Sequence, residues 1–275
     1  MTATNLSVID THAHLDMGAF DKDRREVIER ALDAGVDTII TVGTSLDSSK
    51  QAIKLAEEFP EVFATVGLHP HDVATVERED IAGLGVIANH PKVIAIGEIG
   101  LDFHRDYSTR GAQLQALKWQ LDLATKLELP VIIHCREAEK DMLSLIREWT
   151  SGYGGPCGQC QGVIHCFNGD SYSAKQYLDM GFYLSFGAYI GYPSSRNSHD
   201  VIRSIPEYRL LVETDCPFLP PQSRRGKRNE PAYLRLTVQV LAEIREESSR
   251  NIAETTTQNA RRLFRLAERE SGNHI

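Results

Sequence analysis

Short apolar runs alternate with amphipathic stretches along the whole chain. Eight runs read as strands: "SVIDTHAHLD", "DTIITVGT", "VFATVGLHPH", "VIAIGEIGLD", "LPVIIHCRE", "GVIHCFNG", "FYLSFGAY" and "LLVETDCPF". Most are rich in Val and Ile and apolar throughout, as parallel strands covered by helices should be. Between them, "KDRREVIERALDAG", "SLDSSKQAIKLAEEF", "RGAQLQALKWQLDLATKLE" and "SAKQYLDMG" carry helical spacing. In the first of these, Val27, Ile28, Ala31 and Leu32 share one face, and Gly35 is placed to stop the helix. Eight strand–helix repeats in 275 residues predict an α/β fold, a (β/α)8 TIM barrel rather than an open sheet. No linker, repeat or low-complexity segment divides the chain, so residues 1–275 are expected to form a single domain. The Gly/Pro/Cys-rich stretch "SGYGGPCGQCQG", residues 151–162, reads as a loop inserted between the fifth helix and the sixth strand.

The polar residues fall in one place on this map. His12 and His14 close the first strand, His69 and His71 the third, Glu98 and Asp102 the fourth. His134 closes the fifth, His165 the sixth, and Glu213 and Asp215 the eighth, so six of the ten histidines sit at strand ends. Alternate residues of a strand share a face, so both rings of the H-x-H pair can aim at one spot. In such a barrel the C-terminal ends of the strands carry the active site. Polar groups at the termini of apolar strands need partners or a metal, and neutral imidazoles are common metal ligands. Any one of them, His71 for instance, reads equally well as a cap on its own strand; the convergence of the whole set on one mouth does not.

Composition narrows the classes. The formal net charge is −8, which argues against a protein whose affinity comes mainly from neutralising phosphates, but not against an enzyme that handles phosphate through metal ions. One basic island, "RRGKR", runs from Arg224 to Arg228. There is no run long and apolar enough to span a membrane, and the N-terminus lacks the pattern of a signal peptide. Five cysteines, an odd number and few for the length, fit a cytoplasmic protein with free thiols.

The motifs "DTHAHLD", "VGLHPH", "AIGEIGLDF", "LPVIIHCREA", "GVIHCFNG", "LLVETDCPFL" and "RGKRNEP", in this order, resemble the TatD family of metal-dependent hydrolases, within the amidohydrolase superfamily. The resemblance implies a TIM barrel with two divalent ions, Mg, Mn or Zn, at its mouth. It places His12, His14, Glu98 and Asp215 on one ion and Glu98, His134 and His165 on the other, with Glu98 bridging. Two such ions can activate a water and clamp both the attacking and the leaving oxygens of a phosphodiester. The fourth strand, "IAIGEIGLD", holds no lysine that could be carbamylated to bridge metals as in many superfamily members, so a glutamate must do it. Asp215 is then both ligand and general base, and His69 and His104 match positions near the scissile phosphate.

Several assignments stay open at this stage. For His69, His104, Asp102 and Glu213 a structural hydrogen bond competes with a role in catalysis or in orienting a ligand. Arg136 opens a helix and is placed to meet an anionic substrate, and Arg225 and Lys227 of the basic island would grip phosphate locally. Cys157 and Cys160 form a C-x-x-C pair with no second pair to complete a zinc site, and read as loop residues. The expected activity is that of a deoxyribonuclease of exonuclease type, a monomer acting on single strands or strand ends, with nucleic acid as substrate and no membrane partner. The competing readings are an ester hydrolase, such as an aminoacyl-tRNA deacylase, and a non-catalytic barrel that binds a metal or a partner.

Overall fold

The expected eight strands are all present. In the computed structural model, which describes residues 7–153 and 162–266, they are β1 (Val8–Ala13), β2 (Val36–Val42), β3 (Val62–Val66), β4 (Val93–Asp102), β5 (Val131–Arg136), β6 (Gly162–Ile164), β7 (Tyr183–Phe186) and β8 (Leu210–Val212). They form one sheet in the order β1 to β8. Helices follow as α1 (Arg24–Asp33), α2 (Leu46–Glu58), α3 (Arg78–Ile87), α4 (Arg110–Leu127), α5 (Glu139–Tyr153), α6 (Ser171–Asp179), α7 (His199–Ser204), α8 (Leu234–Arg245) and α9 (Ser249–Phe264). This is the (β/α)8 architecture. Cys157 and Cys160 lie outside the described residues.

Local chemistry sets the helix ends. Ser45, Thr109, Asp170 and Ser248 each accept a backbone N–H from three residues on, the N-cap bond that satisfies one orphan donor. Glu77 and Asp80 form a reciprocal capping box at the start of α3. Helix α1 buries Val27, Ile28 and Ala31, leaves Leu32 half-buried, and stops at Gly35 with φ +84°.

The chain falls into two compact units. The terminal unit comprises residues 7–41 and 185–266 of the described chain, and the central unit residues 42–184. Within the terminal unit β1 pairs with β2 in parallel, and β1 also meets the segment after β8 through a parallel bridge between Ala13 and Cys216. Within the central unit β3, β4, β5 and β6 pair in sequence, all parallel. All ten residues of β4 are buried, so its core is the Val/Ile pattern of the sequence made solid. Gly100 of β4 stands opposite His134 of β5, and a Cβ there would lie 1.9 Å from the His134 carbonyl oxygen. Only the absence of a side chain lets the two strands run this close.

Candidate metal centre

In the central unit the polar strand residues gather around one carboxylate. Glu98 does not end its strand as the sequence pattern suggested. It lies inside the ten-residue β4, where the register against β5 shifts between Ile96 and Ile99. Its Oε1 is 2.8 Å from Nε2 of His165, 2.9 Å from Nδ1 of His134 and 3.6 Å from Nε2 of His69. The His134 and His165 nitrogens are themselves 3.1 Å apart. Glu98 and His165 are buried, and His69 and His134 are partly open. An oxygen with converging imidazole nitrogens is a donor set that suits a divalent transition ion, so these residues fit a metal.

The surrounding bonds sort ligands from donors. The other face of the His134 ring meets Asp102, whose Oδ2 is 3.3 Å from His134 Nε2 and 2.8 Å from His71 Nε2. A proton on His134 Nε2, held by Asp102, leaves Nδ1 as the lone pair that faces Glu98, the usual carboxylate–histidine support of a metal ligand. Burial disfavours the Asp102 carboxylate, yet His134, His71 and the His104 backbone N–H hold it well below the ordinary carboxylate range. Burial likewise opposes charge on His134, but Asp102 and Glu98 outweigh it and raise its pKa. His69 differs from its neighbours. Its Nδ1 accepts the backbone N–H of His71 at 3.1 Å, so in the neutral ring the proton sits on Nε2, and the edge aimed at Glu98 is a donor rather than a ligand.

The terminal unit brings together a second set. His12, in β1, and His14, one residue past its end, do meet: their Nε2 atoms are 3.2 Å apart, with the rings edge to face. Asp215 Oδ1 lies 3.4 Å from His14 Nε2 and 3.8 Å from His12 Nε2. Asp215 has φ +55°, a left-handed conformation that costs energy outside glycine and is tolerated best by Asn and Asp. Backbone bonds hold it there: Asp215 N donates to His12 O and His14 N to Cys216 O, each at 2.8 Å.

Several supporting residues had no role assigned from the sequence. Asp10, fully buried, accepts from the backbone N–H of Thr214 at 2.9 Å and from its hydroxyl at 2.6 Å. Burial pushes the Asp10 carboxyl up to about 7, against the bonds from Thr214 and His12 and with the help of Glu213. Asn229, also fully buried, donates to the carbonyls of Thr214 at 2.8 Å and Phe218 at 2.7 Å. On α4, Gln113 clasps the backbone of Asp102 (2.8 and 3.0 Å) and Gln120 that of Leu68 (2.7 and 3.1 Å). The two glutamines are seven residues apart on the buried face of α4, a spacing that was available in the sequence as a signal.

The remaining candidates lie further out. The His104 ring faces Glu137 at 2.5 Å, and both side chains are exposed. Arg136 is exposed at the end of β5. Of the basic island, Arg225 and Lys227 are exposed, Arg225 lying over the Tyr192 ring at 4.7 Å. Arg228 is committed elsewhere: it grips both carboxylate oxygens of Asp23 at 2.7 Å, reaches Glu230 at 3.1 Å and covers the Phe20 ring. Glu213 is buried beside the Asp215 set. Cys135, which follows His134, meets the Tyr177 hydroxyl at 3.8 Å, and burial pushes its thiol up to about 12. Cys135, Cys166 and Cys216 are free thiols among the described residues.

Residues 9–265 match the family described as TatD related DNase. The chain belongs to that family. Membership makes this TatD chain a metal-dependent hydrolase of the DNase group. It is 40% identical, over 94% of its length and 99% of the relative's, to an uncharacterized metal-dependent hydrolase of Bacillus subtilis. It is 38% identical to the 3'-5' ssDNA/RNA exonuclease TatD of a Rahnella species, covering 93% of this chain and 97% of that one. Among solved structures, a TatD homologue of Escherichia coli aligns with TM-score 0.88 at 31% identity, over 95% of this chain and 99% of that chain. No helix among the described residues of this TatD chain is long and apolar enough to cross a membrane.

Proposed function

We propose that this chain is a 3'-to-5' exonuclease acting on single-stranded DNA or RNA with two divalent ions per chain. The observation that carries the reading is the Glu98 carboxylate oxygen with the His134 and His165 nitrogens both within 3 Å of it, in a chain so like a named exonuclease over nearly its full length. His12, His14 and Asp215 would hold one ion with Glu98, and His134 and His165 the other with Glu98 shared between them. Bound there, the ions would supply Lewis acidity at phosphorus and acidify the attacking water.

The chain's own residues do the rest. Asp215, whose Oδ1 faces the two imidazoles, takes the proton of the attacking water on its carboxylate. The proton then passes to the leaving oxygen as the P–O bond breaks, so that one water is consumed per bond cut. His69, with its proton on Nε2, donates to a non-bridging phosphate oxygen as charge develops there. Arg136, Arg225 and Lys227 meet the backbone of the strand. A grip on only a few nucleotides reconciles this substrate with a net charge of −8.

A substrate panel tests the reading. The purified protein is stripped with chelator, re-supplied with Mg, Mn or Zn in turn, and given 5'-labelled single-stranded DNA, single-stranded RNA and an aminoacyl ester. A ladder shortened from the 3' end should appear on the nucleic acids, with activity rising to a plateau at two ions per chain. Ester cleavage without phosphodiester cleavage under every metal would overturn it.

A further inference from the structure

Phe218 is a large apolar side chain left 49% exposed, and its ring stands edge to face on the metal-set histidine His14, with centroids 5.9 Å apart. Its backbone is not free to wander. Phe218 N donates to Asp215 O at 2.9 Å, and the buried Asn229 amide holds Phe218 O at 2.7 Å. A fixed backbone carrying an open ring beside a candidate metal ligand is the construction of a platform, not of a disordered surface group. The segment continues to Pro220, whose carbonyl accepts the Tyr192 hydroxyl at 2.6 Å, and the Tyr192 ring carries the exposed Arg225 guanidinium.

We infer that Phe218 is the stacking platform for a base next to the bond being cut, and that Arg225, seated on Tyr192, meets the phosphate beyond it. The inference rests on the nuclease reading above. Aromatic rings stack any base without reading its sequence, and only an unpaired base exposes a face to them, so the platform would select single strands over duplex. His14 edges the Phe218 ring from the side of the metal set, so a base lying on the ring would leave its own phosphate near that set. The apolar exposure is then functional: water is displaced from the ring only when a strand end is in place.

The test uses the metal-loaded protein and 5'-labelled single-stranded oligonucleotides that differ only in lacking the base of the terminal or the penultimate 3' nucleotide. The parent should prefer the base-bearing end over one of the two abasic ends. In Phe218→Ala that preference, read as a ratio of kcat/KM values, should shrink by roughly 5- to 150-fold, the range of one base–aromatic stack. Phe218→Trp should keep the preference, and Phe218→Leu, apolar but without a π face, should not. Metal content of each variant reports whether the fold is intact. A parent indifferent to both missing bases, or a Phe218→Ala protein with the parental ratio, would overturn the platform while leaving the nuclease reading in place. A parent inactive on every oligonucleotide would overturn both.

Discussion

The two units hold their donor sets by different means. In the central unit Glu98 is a hub: His134, His165 and His69 converge on one of its oxygens, and Asp102 braces His134 from behind. Side chain meets side chain there, and each position depends on the charge of its neighbour. In the terminal unit the main chain does the placing. Asp215 is fixed by its own N–H on His12, by the left-handed turn at φ +55°, and by Asp10 and Asn229 gripping Thr214. The difference teaches that an ion-binding group can be positioned either by its electrostatic partners or by the backbone beneath it, and the two should fail differently when a charge is removed.

The largest expected effect comes from neutralising the two key carboxylates. Asp215→Asn should lower turnover on short single-stranded DNA by about 10²–10⁴-fold, the usual range for a positioned base. Because the backbone holds residue 215, its metal content should stay near the parent's. Glu98→Gln removes the hub charge, and should lose both metal and turnover. Metal content and turnover measured side by side decide the matter: Asp215→Asn losing metal as completely as Glu98→Gln would erase the distinction between the units.

Next come the residues that brace each set. Asn229→Ala leaves the buried carbonyl of Thr214 and the part-buried carbonyl of Phe218 without that donor, and Gln113→Ala removes the side-chain partner of both backbone groups of Asp102. Each should cost roughly 1–3 kcal/mol in denaturant unfolding, the penalty for buried polar groups left unsatisfied. Their second readouts should part. Gln113→Ala, acting through Asp102 on His134, should weaken metal binding by about 10-fold or more. Asn229→Ala should reduce turnover more than metal content, since it loosens the segment that aims Asp215. Identical profiles for the two variants would count against the contrast.

What the residue pattern disclosed, and what it hid, follows the same division. Strands were legible because unbroken Val/Ile runs bounded by polar residues have few other uses, and the H-x-H pair because alternation leaves no choice of face. Glu98 already stood inside the run "VIAIGEIGLD", but the register shift beside it, between Ile96 and Ile99, leaves no mark on the letters. The roles of Asp10, in "DTHAHLD", of Asn229, in "RGKRNEP", and of Gln113 and Gln120 were hidden for another reason. Each serves backbone groups, 11 residues away for Gln113 and Asp102 and 204 for Asp10 and Thr214, and a backbone partner has no letter of its own. The fate of Arg228 was equally invisible, because its carboxylate partner Asp23 sits 205 residues earlier.

That latch supplies the smallest expected effect. The bond from Arg228, reinforced by Arg30 and only partly opposed by burial, holds Asp23 down at about 2 from its ordinary 3.8. A carboxylate whose pKa is lower in the folded chain contributes stability that is present above pH 4 and lost as pH falls from there towards 2. Unfolding midpoints across that window should therefore drop less steeply in Asp23→Asn than in the parent. The change should be small, because the pair is partly open to solvent. Parallel pH profiles for the two proteins would show that the latch contributes no charge-dependent stability.

Gly100 bears on how the protein can vary. Every single-base change in a glycine codon that alters the residue adds a Cβ or stops translation, and here that carbon would fall on the carbonyl of His134. A screen of random variants would therefore find one of its least permissive positions at a residue with no functional group, and a reader scoring it by reactivity would pass it over. The histidine is kept in place by what its neighbour lacks.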